Sequence, residues 1–253
     1  FTIEKRQVVL TSGSAEKEYD GSALTNEAVT ISGDGFIPGE GADMDVTGRQ
    51  LLPGSSENAF TYTLTEGTRT ENYDITAEYG SLTVTNRAVP YEITVQAVSG
   101  SVLYDGSGKT VSGFETLGFE KNGHSYTVSG LTAEGFGIHA GSYPVSVSGT
   151  AIVTDEFGND VTAQFSVSAE EGDLVIAKRR ITFTSESAEK EYDGEALTAE
   201  EVTVTGDGFA EGEGAAYAFT GRQLLPGSAE NVFEVVFDDA ALPENYEVTI
   251  SFG

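Results

Sequence analysis

Apolar and hydroxyl-bearing residues alternate along most of this chain. Clear instances are "VTIS" at 29–32, "VSVS" at 145–148, "VTVT" at 202–205 and "VTISF" at 248–252. A period of two with β-branched residues places successive side chains on opposite faces of an extended strand, one face buried and the other wet. A helical spacing never persists for ten residues. Over residues 1–86 the pattern predicts seven strands, near 8–12, 17–19, 28–32, 44–47, 59–65, 73–78 and 82–85, separated by Gly-rich turns such as "SGDGF" and "PGEG". Short strands at this spacing predict an all-β chain built of Ig-like two-sheet sandwiches.

The pattern is itself repeated. Displaced by 173 positions, residues 1–80 fall on residues 174–253 without a gap, and 44 of the 80 pairs are identical. "GRQLLPGSSEN" at 48–58 answers "GRQLLPGSAEN" at 221–231, and "ENYDIT" at 71–76 answers "ENYEVT" at 244–249. The middle of the chain is a more distant copy, in which "QFSVSAEEGDLVI" at 164–176 parallels "NYDITAEYGSLTV" at 72–84. Each copy opens on a basic junction ("EKR", "TNR", "AKRR"), followed by Tyr-Asp-Gly at Tyr19, Tyr104 and Tyr192. The expected organisation is three tandem domains, 1–86, 87–177 and 178–253, in an elongated array. Residues 1–5 read as the end strand of a preceding repeat, and the third repeat lacks its own final strand. The array is expected to continue on both sides.

The junctions "SLTVTNRAVPYEITV" at 81–95 and "LVIAKRRITFT" at 174–184 contain no glycine, and Pro90 stiffens the first. Linkers of this kind bend less than Gly/Ser linkers. Six of the 13 bases, Lys5, Arg6, Arg87, Lys178, Arg179 and Arg180, cluster there. They are expected to stitch acidic neighbours together or to stand as a solvated edge that discourages strand pairing. Tyr19, Tyr104 and Tyr192 are expected to be buried, each anchoring a strand end in its own core. The Asp-Gly after each is a tight-turn signal.

Composition narrows the function. The 253 residues carry 41 acids against 13 bases, a net charge of −28. Such a field disfavours nucleic acid and anionic membranes as partners and favours a self-repelling monomer. Cysteine is absent, which excludes disulfides, thiol catalysis and zinc–thiolate sites. No run of 18 apolar residues offers a helical membrane span. The chain opens in mid-pattern on "FTIEKR" with no secretory leader, as expected of a segment of something longer.

The order of basic junction, Tyr-Asp-Gly, "TGRQLLPGSSEN" and "NYDIT…GSLTV", with "AGSYPVSV" at 140–147 and "GNDVTAQFSVSAEEGDLVI" at 158–176 in the middle copy, resembles the YDG/MBG-type β-sandwich repeats of bacterial cell-surface adhesins, especially those of Gram-positive gut bacteria. The resemblance covers essentially the whole chain. It implies tandem, secreted, cell-wall-anchored modules that project a binding region from the cell. The middle repeat departs from its neighbours, carrying "GFEKNGHSYTVSG" at 118–130 in place of "GRQLLPG".

No catalytic, cofactor or metal residues are assigned. His124 and His139 sit beside turn glycines without metal-ligand spacing. No two of the many carboxylates are singled out as an acid–base pair. "DEFGND" at 155–160 and "GDGFAEGEG" at 206–214 crowd oxygen atoms into turns but lack the spacing of an EF-hand loop. Lys17 with Asn72, and Lys190 with Asn245, recur at equivalent places as an isopeptide bond would need, but the middle repeat has Leu103 and no lysine just before its Tyr-Asp-Gly. Phe119, Tyr126 and Phe136 are candidates for stacking on sugars, with core packing as the alternative. The expectation is a non-catalytic stalk segment, or else an adhesive module binding a host glycan or protein through the middle repeat.

Overall fold

The computed structural model describes residues 1–253 and is all-β. Repeat 1 supplies β1 (Arg6–Ser12), β2 (Ala15–Glu18), β3 (Val29–Gly33), β4 (Ala42–Val46), β5 (Gly54–Glu57), β6 (Phe60–Leu64), β7 (Tyr73–Glu78) and β8 (Ser81–Thr85). Repeat 2 supplies β9 (Tyr91–Gln96), β10 (Gly100–Leu103), β11 (Lys109–Ser112), β12 (Gly118–Lys121), β13 (His124–Gly137), β14 (Gly141–Asp155), β15 (Phe165–Glu170) and β16 (Gly172–Ala177). Repeat 3 supplies β17 (Arg179–Ser185), β18 (Val202–Gly206), β19 (Ala215–Phe219), β20 (Phe233–Phe237) and β21 (Tyr246–Ser251). One 3-10 turn recurs in each repeat, at Thr70–Asn72, Thr162–Gln164 and Pro243–Asn245. Each delivers a buried aromatic, Tyr73, Phe165 or Tyr246, to the first position of the next strand.

Repeat 1 has eight strands where the alternation predicts seven. The extra one, β5, lies in "PGSSEN", whose Gly and Ser residues carry turn chemistry rather than strand chemistry. Its pairing is tertiary: it runs antiparallel to β8 from Gly54 opposite Val84 to Glu57 opposite Ser81.

The chain divides into two compact units. Unit 1 holds residues 1–94, 116–130 and 150–168, and unit 2 holds 95–115, 131–149 and 169–253. The borders between repeats, at 86/87 and 177/178, thus fall inside the units. Repeat 2 is divided between them, with β13 and β14, 14 and 15 residues long, contributing to both.

In unit 1, β1 is the centre of a sheet ordered β3-β1-β7, antiparallel to β3 and parallel to β7. A second sheet, β2-β8-β5, centres on β8, with Leu82 and Val84 fully buried. The core around β1 gathers Val8, Leu10, Phe60 and Tyr73, flanked by Phe36, Met44 and Ile75. Removing each such side chain from water contributes about 1.5–3 kcal/mol. The recurrent "EN" of "GRQLLPGSSEN" is structural. Buried Asn58 donates through Nδ2 to the carbonyls of Gly13 (2.9 Å) and Asn26 (2.7 Å), closing two loops whose backbone would otherwise lack partners. Asn231 does the same in repeat 3, to Glu186 and Ala199.

In unit 2 the registers of repeat 1 return with the 173-residue displacement: Val8 opposite Gly33 becomes Ile181 opposite Gly206. The sheet β18-β17-β21 is accompanied by the β19–β20 pair, by β10 and β14 on either side of β16, and by β11 against β13. The core includes Tyr104, Val145, Leu174, Ile176, Phe183, Phe233 and Tyr246. Residues 188–191 and 227–230, which align with β2 and β5, are not strands. Their counterparts in repeat 1 both pair with β8.

Candidate functional site

The Tyr-Asp-Gly corners are the recurring constellation, and each is built alike. Asp20, Asp105 and Asp193 accept, through Oδ1, the backbone N–H two residues on, at 2.9, 3.0 and 3.0 Å. The glycines between take φ of +93°, +81° and +87°, the left-handed region where a Cβ is costly. A lysine locks each aspartate: Lys17 at 2.7 Å, Lys109 at 2.5 Å and Lys190 at 2.9 Å. In repeat 2 that lysine follows the aspartate by four residues instead of preceding it by three, and Val102 stands at the place of Lys17 and Lys190 two residues before the tyrosine. Burial raises the Asp20 carboxyl, but the Lys17 and Ser22 hydrogen bonds outweigh it and hold the group below its ordinary range. Lys109 and Ser107 lower Asp105, and Lys190 lowers Asp193.

The tyrosines differ in fate. Tyr19 and Tyr104 are 1% and 3% exposed, whereas Tyr192 is 66% exposed. The expected burial holds for Tyr19 and Tyr104 and fails for Tyr192, and the hydroxyls of the two buried tyrosines meet side chains of the following repeat. In unit 2, Tyr104 Oη donates to Glu213 Oε1 at 2.5 Å, and Tyr246 Oη donates to Glu213 Oε2 at 2.6 Å. The Tyr246 hydroxyl also accepts from Ala210 N at 3.1 Å. Arg179 donates from NH1 to the Tyr104 carbonyl at 3.1 Å, and its Nε and NH2 hold the carbonyls of Gly208 and Asp207. Asn245 Oδ1 accepts from Ala140 N at 2.8 Å. Carboxylate, guanidinium and amide therefore grip one Tyr-Asp-Gly corner and a neighbouring turn of repeat 2.

In unit 1 the seat is aromatic. Tyr19 Oη lies 3.5 Å from Tyr126 Oη. Tyr126 stacks on Phe119 with centroids 5.4 Å apart and meets Phe165 edge-on at 4.9 Å. Arg87 NH1 donates to the Tyr19 carbonyl at 3.2 Å, as Arg179 does to Tyr104, and its guanidinium lies over the Tyr91 ring at 3.8 Å. Asn122 Nδ2 donates to the Tyr91 hydroxyl at 2.7 Å. The middle repeat thus replaces the Glu213 carboxylate with Tyr126, and the Tyr246 ring with Phe165.

Burial, reinforced by the anion or hydroxyl each meets, pushes the tyrosine hydroxyls up. Burial first and the Glu213 bond second raise Tyr104. Burial raises Tyr246 to about 12, with Ala210 N–H opposing and Glu213 assisting. Burial and Tyr126 raise Tyr19. A phenol raised on folding stabilises the fold fully below its unfolded value of about 10, and the contribution disappears as pH climbs through the folded value. Alkaline titration followed by circular dichroism should therefore show stability falling between about pH 10 and 12. Stability that stays level across that window would contradict the packing of these hydroxyls.

The other candidates resolve into local structure. Asp155 Oδ1 accepts from the N–H groups of Phe157 and Asn159, and Asp160 Oδ1 from Thr162, so "DEFGND" closes its own turn. In "GDGFAEGEG", Asp207 and Glu213 hold Arg179, Arg180, Tyr104 and Tyr246. No group of three or more metal-capable side chains is assembled. His124 Nδ1 lies 3.1 Å from Glu156 Oε1. His139 Nδ1 lies 3.3 Å from Asn245 Nδ2. Lys17 and Lys190 are on their aspartates, Asn72 is exposed, and Asn245 holds Ala140. Phe119 and Tyr126 belong to the aromatic seat, and Phe136 on β13 is 58% exposed. Arg6 and Arg179 spend their guanidinium groups on backbone carbonyls rather than on acids, while Arg180 pairs with Glu247 at 3.0 Å.

The seat residues Glu213 and Asn245 escape a reading of single motifs. Their signal is that Glu40 and Asn72 stand at the same places 173 residues earlier. Comparison with models of protein families and with curated proteins finds no match. No helix is long and apolar enough to cross a membrane.

Proposed function

We propose that the chain is a non-catalytic stalk segment of a bacterial cell-surface adhesin, built of three tandem Ig-like β-sandwich domains with borders at 86/87 and 177/178, and that it projects a binding region from the cell wall. One observation carries this reading. At both internal borders the Tyr-Asp-Gly corner of one repeat is buried by side chains of the next, through Arg87 and Tyr126 and through Arg179 and Glu213. The most recurrent motif of the chain is thereby used to join repeats, and the borders lie inside compact units. The strong negative charge supports extracellular spacing by keeping neighbouring stalks apart.

A second reading, an adhesive module for a host glycan or protein acting through repeat 2, draws on exposed Phe136 and Phe157. Solution scattering at low concentration with a parallel glycan and host-protein screen separates the two. A stalk of about 100 Å has a radius of gyration of about 30 Å, against about 18 Å for a compact 253-residue fold. The stalk reading expects the larger value and a silent screen. The smaller value would contradict it, and a hit lost on Phe136→Ala would favour the adhesive module.

A further inference from the structure

We propose that the free edge of β10, in repeat 2, is a docking site for an extended segment of another protein, one with β-branched residues along its length and basic residues at one end. The site lies wholly within unit 2, and it holds whether the chain serves as a stalk or as an adhesive module.

β10 is the outermost strand of its sheet. It pairs with β16 on one side, and no strand lies along the other. A bare edge offers its backbone N–H and C=O groups to any passing strand, and folded proteins commonly place charges there to prevent pairing. Repeat 1 does so. Its equivalent edge strand, β2, carries Glu16, Lys17 and Glu18 before Tyr19. Repeat 3 has Glu189, Lys190 and Glu191 at the same places before Tyr192. In repeat 2 the three positions are Ser101, Val102 and Leu103, and both apolar side chains are exposed. The pairing is otherwise the same: Leu103 lies opposite Ala177 on β16 as Glu18 lies opposite Thr85 on β8. A position that is charged in two repeats is uncharged and apolar in the middle one.

The adjoining surface has changed with it. Val175 on β16, opposite Ser101 and on the same outer face, is exposed and stands where β8 has Thr83. Pro144 and Phe136 carry this exposed face on across β14 and β13. A strand that pairs with β10 extends the sheet and lays alternate side chains beside Leu103 and Val175, burying apolar surface that is otherwise wet.

Charge selects the partner. Glu170, Glu171 and Asp173 are exposed at the end of β10 that begins with Gly100, since Gly100 lies opposite Leu174. Glu134 adds a carboxylate on the outer face of β13, two residues before Phe136. Of the nearby bases, Lys109 is held by Asp105 and Arg179 by backbone carbonyls, while Lys178 follows Ala177 at the Leu103 end. The edge is therefore anionic at one end and carries a base at the other, within a chain of net charge −28. A segment with its basic residues over Asp173 is attracted, whereas an acidic segment or a second copy of this chain is repelled.

A labelled peptide, Lys-Lys-Val-Thr-Val-Thr-Val, titrated with the whole chain at physiological salt and followed by fluorescence anisotropy, tests the site. Two companions share its length. Glu-Glu-Val-Thr-Val-Thr-Val reverses the charge, and Lys-Lys-Val-Pro-Val-Pro-Val lacks the backbone donors of an added strand. The basic β-branched peptide should bind at least about tenfold more tightly than either. The decisive variant gives β10 the residues of repeat 1: Ser101→Glu with Val102→Lys and Leu103→Glu. β2 accommodates these side chains in the same pairing, and two added acids against one added base leave the net charge almost unchanged. With its fold checked by circular dichroism, this variant should bind the basic peptide at least about tenfold more weakly, and Leu103→Glu alone should weaken it in the same direction. Binding that survives the triple substitution would show attraction to the net charge alone and overturn the proposal, as would a parent chain that does not bind the peptide. A parent chain that dimerises in solution, with a variant that does not, would overturn the choice of partner in favour of a second copy. Each outcome leaves the scattering comparison untouched.

Discussion

Tyr104→Ala is expected to lower stability by about 3–5 kcal/mol, and Tyr192→Ala by no more than about 0.5 kcal/mol, although both alter the tyrosine of the same motif. The difference comes from what covers each ring. Tyr104 is buried, meets Tyr246 edge-on with centroids 6.0 Å apart, and satisfies one oxygen of Glu213. Truncation leaves a ring-sized void and a carboxylate oxygen without its donor. Tyr192 has no such cover, so its loss removes little that is absent from the unfolded chain. Urea unfolding of the two variants beside the parent measures both. Equal losses would mean that the motif serves its own repeat and not the next.

Gly21→Ala is expected to cost about 2–4 kcal/mol, and Gly194→Ala only about 1 kcal/mol. Both glycines have positive φ, +93° and +87°, so either alanine bears the left-handed penalty of about 1 kcal/mol. The surroundings make the rest. A Cβ on Gly21 would stand 2.5 Å from Tyr126 Oη and 2.6 Å from His124 Cδ2, with nothing within 4 Å of one on Gly194. Tyr126 is buried and wedged between Phe119 and Phe165, so it cannot yield without opening the aromatic seat. Thermal unfolding of the two variants gives the comparison. A Gly21→Ala chain as stable as Gly194→Ala would contradict the close approach of repeat 2 to this turn.

Much of the fold is legible because the same physics acts locally and globally. In β1 and β7 the alternation marks the inward face, with Val8, Leu10 and Tyr73 buried and Ile75 half-buried, whereas in β3 Val29 is only half-buried and Ile31 is exposed. The Asp-Gly turns are equally readable, since their hydrogen bonds span two residues. β5 is hidden because glycine and serine pair only when β8 lies alongside. The length of β13 is hidden by Gly130 and Gly135, which carry turn chemistry yet lie within a strand against Thr150 and Pro144. That Tyr19 and Tyr104 are buried follows from their type and place, but the identity of what buries them does not. Glu213 sits in "EGEG", where it looks like loop chemistry until the Tyr104 and Tyr246 hydroxyls are seen to converge on it from two repeats.

The central claim is that Tyr-Asp-Gly is the device by which one repeat holds the next, and a double-mutant cycle between Tyr104→Phe and Glu213→Ala tests it most directly. The cycle removes only the hydroxyl and its acceptor, so Tyr246, common to both legs, cancels. A hydrogen bond to this half-buried, charged acceptor predicts a coupling of about 1.5–3 kcal/mol. Strictly additive losses, with a coupling within about 0.3 kcal/mol of zero, would contradict it.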